Sequence, residues 1–280
     1  MIEPVRLLAL AAEVEKEGQY NVAKLLRSAA TALLTRAAWE DRVPSDTADQ
    51  AVELERIAAE IEGTAASSLG ASLAAAAAAL RGSRVALYRE APDPFVCRIC
   101  GLTQVESFDD RCSDCGRWPN TAERIRPIYW ARASTPPESL DLLETTPAIV
   151  IRAFEVGVPD VSGPDGGWTA HQTLEHLHNA QSVFRSRIDQ LLAGGEPVLA
   201  SVMVWTIAGE GTATEGLLEA YLDLRSEIVD LLRDADPEAW WNRGHHEEFG
   251  SVTLAEQASY FANHEPTHLG QLLDAASQPD

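Results

Sequence analysis

Apolar side chains return every three or four positions from residue 4 to residue 90, the period of helices that each bury one face. Val5 to Glu17 ends at Gly18, Asn21 can cap a run to about Ala38, and Ser45 precedes a third run that stops at Gly63. An alanine-rich fourth helix is expected over about 71 to 88. The stripes Leu25, Ala29, Leu33 and Leu54, Ile57, Ile61 have helical spacing and should face one another in an antiparallel bundle over residues 1–90. There is no histidine before residue 171, which excludes the Glu-x-x-His pairs of a di-iron bundle from this region. The unit reads as structural, with dimerisation into a homodimer as its expected role.

The pattern breaks at APDP, residues 91–94, where two prolines favour an extended linker. A loop-rich module follows over residues 95–120, then a second linker over 121–138 that ends in STPPE. Helical spacing returns in four blocks, about 139 to 156, 169 to 193, 212 to 235 and 253 to 277, so residues 139–280 read as a second four-helix bundle. The fold class is mainly α, with a small module between two helical bundles.

Composition adds constraints. Hydrophobic residues make up 45% of the 280-residue chain and aromatics 6%, the profile of a globular protein. A formal charge of -21 and a pI near 4.6 make nucleic acid and anionic membranes poor partners, because both bind through clustered Lys and Arg. The N-terminal stretch has no basic start or cleavage site, and ASLAAAAAAL and VLASVMVWTIAG are shorter than the roughly 20 residues that cross a bilayer. The cytoplasm is the expected address.

All four cysteines lie in FVCRICGLTQVESFDDRCSDCG, as Cys97-x2-Cys100-Gly and Cys112-x2-Cys115-Gly. Each pair can form a tight knuckle in which Gly101 or Gly116 takes the backbone conformation that points amides at sulfur. Four thiolates in two knuckles make a tetrahedral site for zinc or a single iron, and a reducing compartment argues against two disulfides. In so short a segment the metal would supply on the order of 10 kcal/mol of folding free energy. A closed four-sulfur shell leaves no position for substrate. From Glu90 to Arg132 there are six Arg against seven Asp plus Glu, so this zinc-ribbon-like module has no basic face for phosphates. Its spacing and glycines resemble the rubredoxin-like domain at the end of rubrerythrins, over some 25 residues. In those proteins the domain serves a di-iron bundle, which this chain lacks, so zinc is the expected ion.

The segment FANHEPTHLGQLLD holds His264 and His268, four apart and so on one helical face, with Gln271 following at an offset of seven from His264. With Leu254, Ala258, Phe261, Leu269 and Leu272 as the buried stripe, both histidines fall on its flank. A catalytic metal takes about three protein ligands, so a third must come from another helix. GWTAHQTLEHLHNAQSVF offers His171, His176 and His178; with Leu174, Leu177, Phe184 and Ile188 buried, His176 lies on one flank and the other two share the opposite one. Spacing does not choose between them. Pro266, between His264 and His268, forfeits the bond to Ala262, at about 3 kcal/mol in a helix interior. Either the helix kinks, or Asn263 restarts it with Pro266 in the first turn. His245 and His246, in NRGHHEEFG, read as solvated loop residues.

W-T-A-H-Q-T-L-E-H-L, a long helix and the terminal H-x-x-x-H-L-G-Q-L resemble the DinB-like superfamily of four-helix metal proteins, over about residues 138 to 277. That family includes the bacillithiol- and mycothiol-dependent transferases. The resemblance implies that His176, His264 and His268 bind a divalent ion, zinc or nickel. It further implies a metal-dependent transferase that activates a low-molecular-weight thiol and passes it to an electrophile. Gln271 is then a candidate for holding a ligand from behind, and Glu175 a candidate base. Two other readings stand beside this one: hydrolysis by metal-activated water, and a non-catalytic metal-binding scaffold or stress-response protein.

Overall fold

A computed structural model describes residues 3–16, 18–40, 46–105, 111–127, 130, 133–156, 168–202 and 214–276. The chain forms two compact units. One comprises residues up to 86 together with 94–124, and the other 87–93 together with 125 onward.

In the first unit, α1 (Pro4–Lys16) packs on α2 (Tyr20–Glu40), and α3 (Thr47–Glu60) on α4 (Gly70–Arg81). Three boundaries differ from the sequence reading. Asn21 lies inside the first turn of α2, where its Oδ1 accepts from Lys24 Nζ at 3.2 Å, and it does not cap the helix. The cap of α3 is Asp46, whose side chain accepts from the Ala48 and Asp49 amides; Ser45 lies outside the described residues. Helix α4 stops at Arg81, well short of 88. Ser83 turns left-handed (φ 49°), and its N–H and that of Arg84 bond back to Leu80 O and Ala79 O, which satisfies the last carbonyls. The expected Leu25, Ala29, Leu33 stripe faces outward, with Leu25 65% exposed. Among the described residues, the fully buried positions of the α1–α2 pair are alanines 11, 23 and 30, which let two backbones approach closely.

The cysteine module is a three-stranded antiparallel sheet of order β2-β1-β3, from β1 (Pro94–Cys97), β2 (Thr103–Val105) and β3 (Ala122–Arg124). Thr103 anchors it inside this unit: its N–H donates to Ala65 O at 2.8 Å, and its hydroxyl meets Ser68 Oγ at 2.6 Å.

The second unit is a four-helix bundle of α5 (Pro136–Val156), α6 (Ala170–Leu192), α7 (Thr214–Asp234) and a broken fourth helix, α8 (Leu254–His264) followed by α9 (Pro266–Ala276). Thr169 and Thr253 open α6 and α8 with full capping boxes, through Gln172 and Glu256. The anticipated stripes are in the core: Leu174, Leu177, Phe184 and Ile188 of α6, and Leu254, Ala258, Phe261 and Leu272 of the fourth helix are buried, while Leu269 is half-buried against them. A small sheet of order β4-β5-β6 flanks the bundle, from β4 (Val198–Leu199), β5 (Arg243–His246) and β6 (Gly250–Thr253). Its alternation corrects the reading of His246. In β5, Gly244 and His246 point inward while Arg243 and His245 point out, so His246 is 1% exposed and only His245 is solvated. No helix among the described residues is long and apolar enough to cross a membrane.

Candidate metal centres

In the first unit the two knuckles are near copies of each other. Cys97 N–H donates to Leu102 O and Gly101 N–H to Cys97 O; Cys112 N–H donates to Arg117 O and Gly116 N–H to Cys112 O. Gly101 (φ 80°) and Gly116 (φ 70°) take the left-handed conformation each turn requires. All four thiols are free, and the Sγ atoms of Cys97 and Cys115 stand 3.7 Å apart, those of Cys100 and Cys112 3.6 Å. These spacings exclude disulfides, whose sulfurs lie about 2.05 Å apart. They match the edge of a tetrahedron with metal–sulfur bonds of about 2.3 Å, which is about 3.8 Å. Burial works against the Cys97 thiolate, yet the amides of Cys100 and Ile99 pull its pKa down to about 7, while burial pushes Cys100 up to about 12. Ionising all four thiols together requires a cation among them.

In the second unit the break in the fourth helix and the start of α6 bring three imidazoles together. His176, His264 and His268 each offer a nitrogen within 4.8 Å of the others. His264 Nε2 and His268 Nε2 are 3.2 Å apart, close to the edge of about 3.3 Å that a tetrahedral ion with metal–nitrogen bonds of about 2.0–2.1 Å imposes. Gln271 Oε1 accepts from His268 Nδ1 at 2.8 Å, which puts the proton on Nδ1 and turns the Nε2 lone pair toward its two partners. Burial, and then the neighbouring His268 and His176, lower the pKa of His264 to about 3, so it is a neutral ring with a free electron pair at ordinary pH. Three imidazole nitrogens on one point suit a borderline divalent cation.

Of the histidines that spacing left open, the structure brings only His176 to the pair. His171 Nδ1 pairs with Thr214 Oγ1 at 2.9 Å, and His178, whose pKa burial lowers, is outside the cluster. Gln271 stands where a supporting residue belongs. Glu175 does not join the group: it follows α6 about 100° round from His176, half-buried, with no hydrogen bond or ion pair among the described residues.

Pro266 opens α9 as its first residue, so the fourth helix restarts, at Pro266 and not at Asn263. His264 closes one segment and His268 lies in the first turn of the next, with its N–H on Glu265 O at 2.9 Å.

Three features of this centre were not anticipated. Trp168 lies against His176 (ring centroids 4.9 Å) and nearly parallel to His268 (6.3 Å), walling one side. Tyr260, one turn before His264, stacks on it at 6.1 Å. Glu265, between Pro266 and His264, is fully buried and forms a fork with Arg225, itself 3% exposed: Nη1 donates to Oε2 at 2.9 Å and Nη2 to Oε1 at 2.5 Å. Tyr221 Oη donates to the same Oε1 at 2.6 Å, and Arg225 Nε donates to Gln181 Oε1 at 2.7 Å. Arg225 Nη1 also donates to Leu143 O at 3.0 Å, the carbonyl that Pro147, lacking an N–H, leaves without its helical donor. The Trp and Tyr stood in plain view beside the motifs, but charged residues in helical patterns read as surface, which hid the fork.

The sequence matches the family described as the DinB superfamily over residues 116–272, and no curated protein matches it. Among solved structures it is similar to YfiT from Bacillus subtilis, described as a probable metal-dependent hydrolase with an unusual four-helix bundle topology. The two share 21% identity with a TM-score of 0.47, over 54% of this chain and 91% of that one. The family match spans more than half of the sequence and takes in all three histidines of the cluster: the chain belongs to the DinB superfamily.

Proposed function

We propose that the second unit is a metal-dependent transferase centre in which His176, His264 and His268 hold a divalent ion, zinc or nickel, for reaction of a low-molecular-weight thiol with an electrophile. The convergence of three imidazole nitrogens, one of them oriented by Gln271, carries this reading. Three protein ligands are the number that leaves an exchangeable position, and a divalent ion bound this way lowers the pKa of a thiol from about 8.5, so that the nucleophile is anionic near neutral pH. The protein's own contribution is orientation and shielding: Gln271 fixes a tautomer, while Trp168 and Tyr260 wall the ligands with aromatic faces. The four-cysteine module takes zinc as a structural ion, and its reduced thiols suit the cytoplasm.

Metal analysis tests the ligand set. The wild type is expected to carry two ions per chain; His176→Ala lowers this to one, and His178→Ala leaves it at two. A reversed result would move the third ligand. Turnover of a panel of electrophiles tests the reaction: rates that rise with added thiol support transfer, and rates indifferent to thiol indicate hydrolysis instead. A cobalt-substituted centre whose visible spectrum ignores a thiol titration would leave a non-catalytic scaffold.

A further inference from the structure

We infer that Arg225 and Glu265 are positioning residues for the three-histidine centre, fixing the angle of the helix break that separates His264 from His268; this rests on reading that centre as a metal site. Pro266 gives no N–H to Ala262 O, so the backbone ladder is interrupted where α9 leaves α8, and the local bonds left there are Glu265 N–H to Phe261 O at 3.3 Å, His268 N–H to Glu265 O at 2.9 Å and Thr267 Oγ1 to His264 O at 2.5 Å. Two ligands ride on that junction, one on each segment. Glu265 is the single residue between the segments, and its side chain is fully buried in the bundle. There it meets groups from the three other helices. Arg225 and Tyr221 come from α7, Gln181 from α6 through Arg225, and the Leu143 carbonyl from α5, also through Arg225. Gln181 Nε2 closes the set by donating to Tyr221 O at 3.2 Å. A two-pronged fork held from three sides resists both rotation and sliding of the residue it grips. A swing of α9 about the break would carry His268 Nε2 away from His264 Nε2, which now stand at ligand spacing.

Stability alone is a poor account of this arrangement. A buried ion pair often adds nothing over apolar residues of equal volume, because desolvation offsets the attraction. What apolar residues do not supply is a single defined geometry at a point where the helix has lost its own.

The test uses the full chain with zinc retained at the four-cysteine site and cobalt titrated into the histidines. The double variant Arg225→Met/Glu265→Met removes both charges together. It is expected to melt near the wild-type temperature while cobalt affinity falls about 10- to 100-fold and the visible ligand-field bands shift. Tyr221→Phe, which keeps the pair and loses one bond to Glu265, should give a smaller loss in the same direction. A folded double variant with wild-type affinity and spectrum overturns the proposal. If the double variant does not fold, Tyr221→Phe decides: a lowered melting temperature with unchanged cobalt binding makes the network merely structural and overturns it equally. A wild type that takes no cobalt at its histidines overturns the reading of the centre itself, a result separate from either.

Discussion

A histidine's role in this bundle depends on which flank of its element it occupies and on what covers it. His176 and His178 are two residues apart on one helix, yet only the first meets other imidazoles. His246 shows the opposite use of burial. Its Nδ1 accepts from the Glu248 amide at 3.1 Å, and burial, followed by the charges of Arg187 and His245, lowers its pKa from 6.5 to about 3. Below pH 6.5 the unfolded chain binds a proton that the folded chain refuses until about pH 3. The unfolded state therefore gains on acidification, and stability falls with falling pH through that window. From pH 7 to pH 5 this one group accounts for about 2 kcal/mol. Urea unfolding of wild type and His246→Gln at both pH values should show the variant losing less by about that amount. Equal losses would mean that His246 titrates in the native state.

At the scale of elements, the helices of the second unit were legible because their signals are local: Thr169 and Thr253 with Gln172 and Glu256 three residues on, and apolar stripes at fixed spacing. The His264/His268 pair was legible for the same reason, and the third histidine of the cluster only through family resemblance, since choosing His176 over its neighbours requires knowing how α6 is turned. Glu265 and Arg225 could not be read at all, because a charge is buried only when its partner, 40 residues away, arrives beside it. The helical pattern of the first unit was also legible, but its inward face was not: alanines pack where leucines were expected. Leu25 (65%), Leu33 (42%) and Leu34 (51%) of α2, with Val5 (74%) and Leu10 (49%) of α1, are left exposed. We propose that an identical hairpin covers them in a symmetric homodimer, since a self-complementary surface repeats each contact twice. Light scattering of the full chain should give twice the chain mass, and Leu25→Glu/Leu33→Glu should halve it. A monomeric wild type excludes the dimer.

At the scale of the whole chain, the second unit is not one continuous segment. Residues 87–93, read as the end of the first helical bundle and the start of the APDP linker, belong to it: Tyr88 N–H donates to Glu247 O at 2.8 Å, and its ring lies where a Cβ on Gly250 would come within 2.8 Å. Arg126, from the stretch read as the second linker, donates to Glu256 Oε1 at 2.8 Å and reaches Asp93 at 3.7 Å. Trp130, 4% exposed, is packed between Phe249 and Tyr260 with ring centroids at 5.1 and 5.0 Å. Ser134 N–H donates to Ser259 Oγ at 2.7 Å, and Asn263 Nδ2 to Ser134 Oγ at 3.0 Å, next to His264. These contacts fall on the face of α8 that carries Tyr260, and Tyr260 lies against His264. Removing Trp130 should therefore be felt twice. Trp130→Ala is expected to cost about 3–5 kcal/mol by the loss of a buried indole, and it should weaken cobalt binding at the histidines because Tyr260 loses the ring it stacks on. A fragment of residues 135–280, which keeps all four helices and every histidine but lacks both flanking stretches, should melt lower than the corresponding transition of the full chain and bind cobalt more weakly. Matching melting and affinity would show that the four helices suffice alone and that the flanking stretches only lie on their surface.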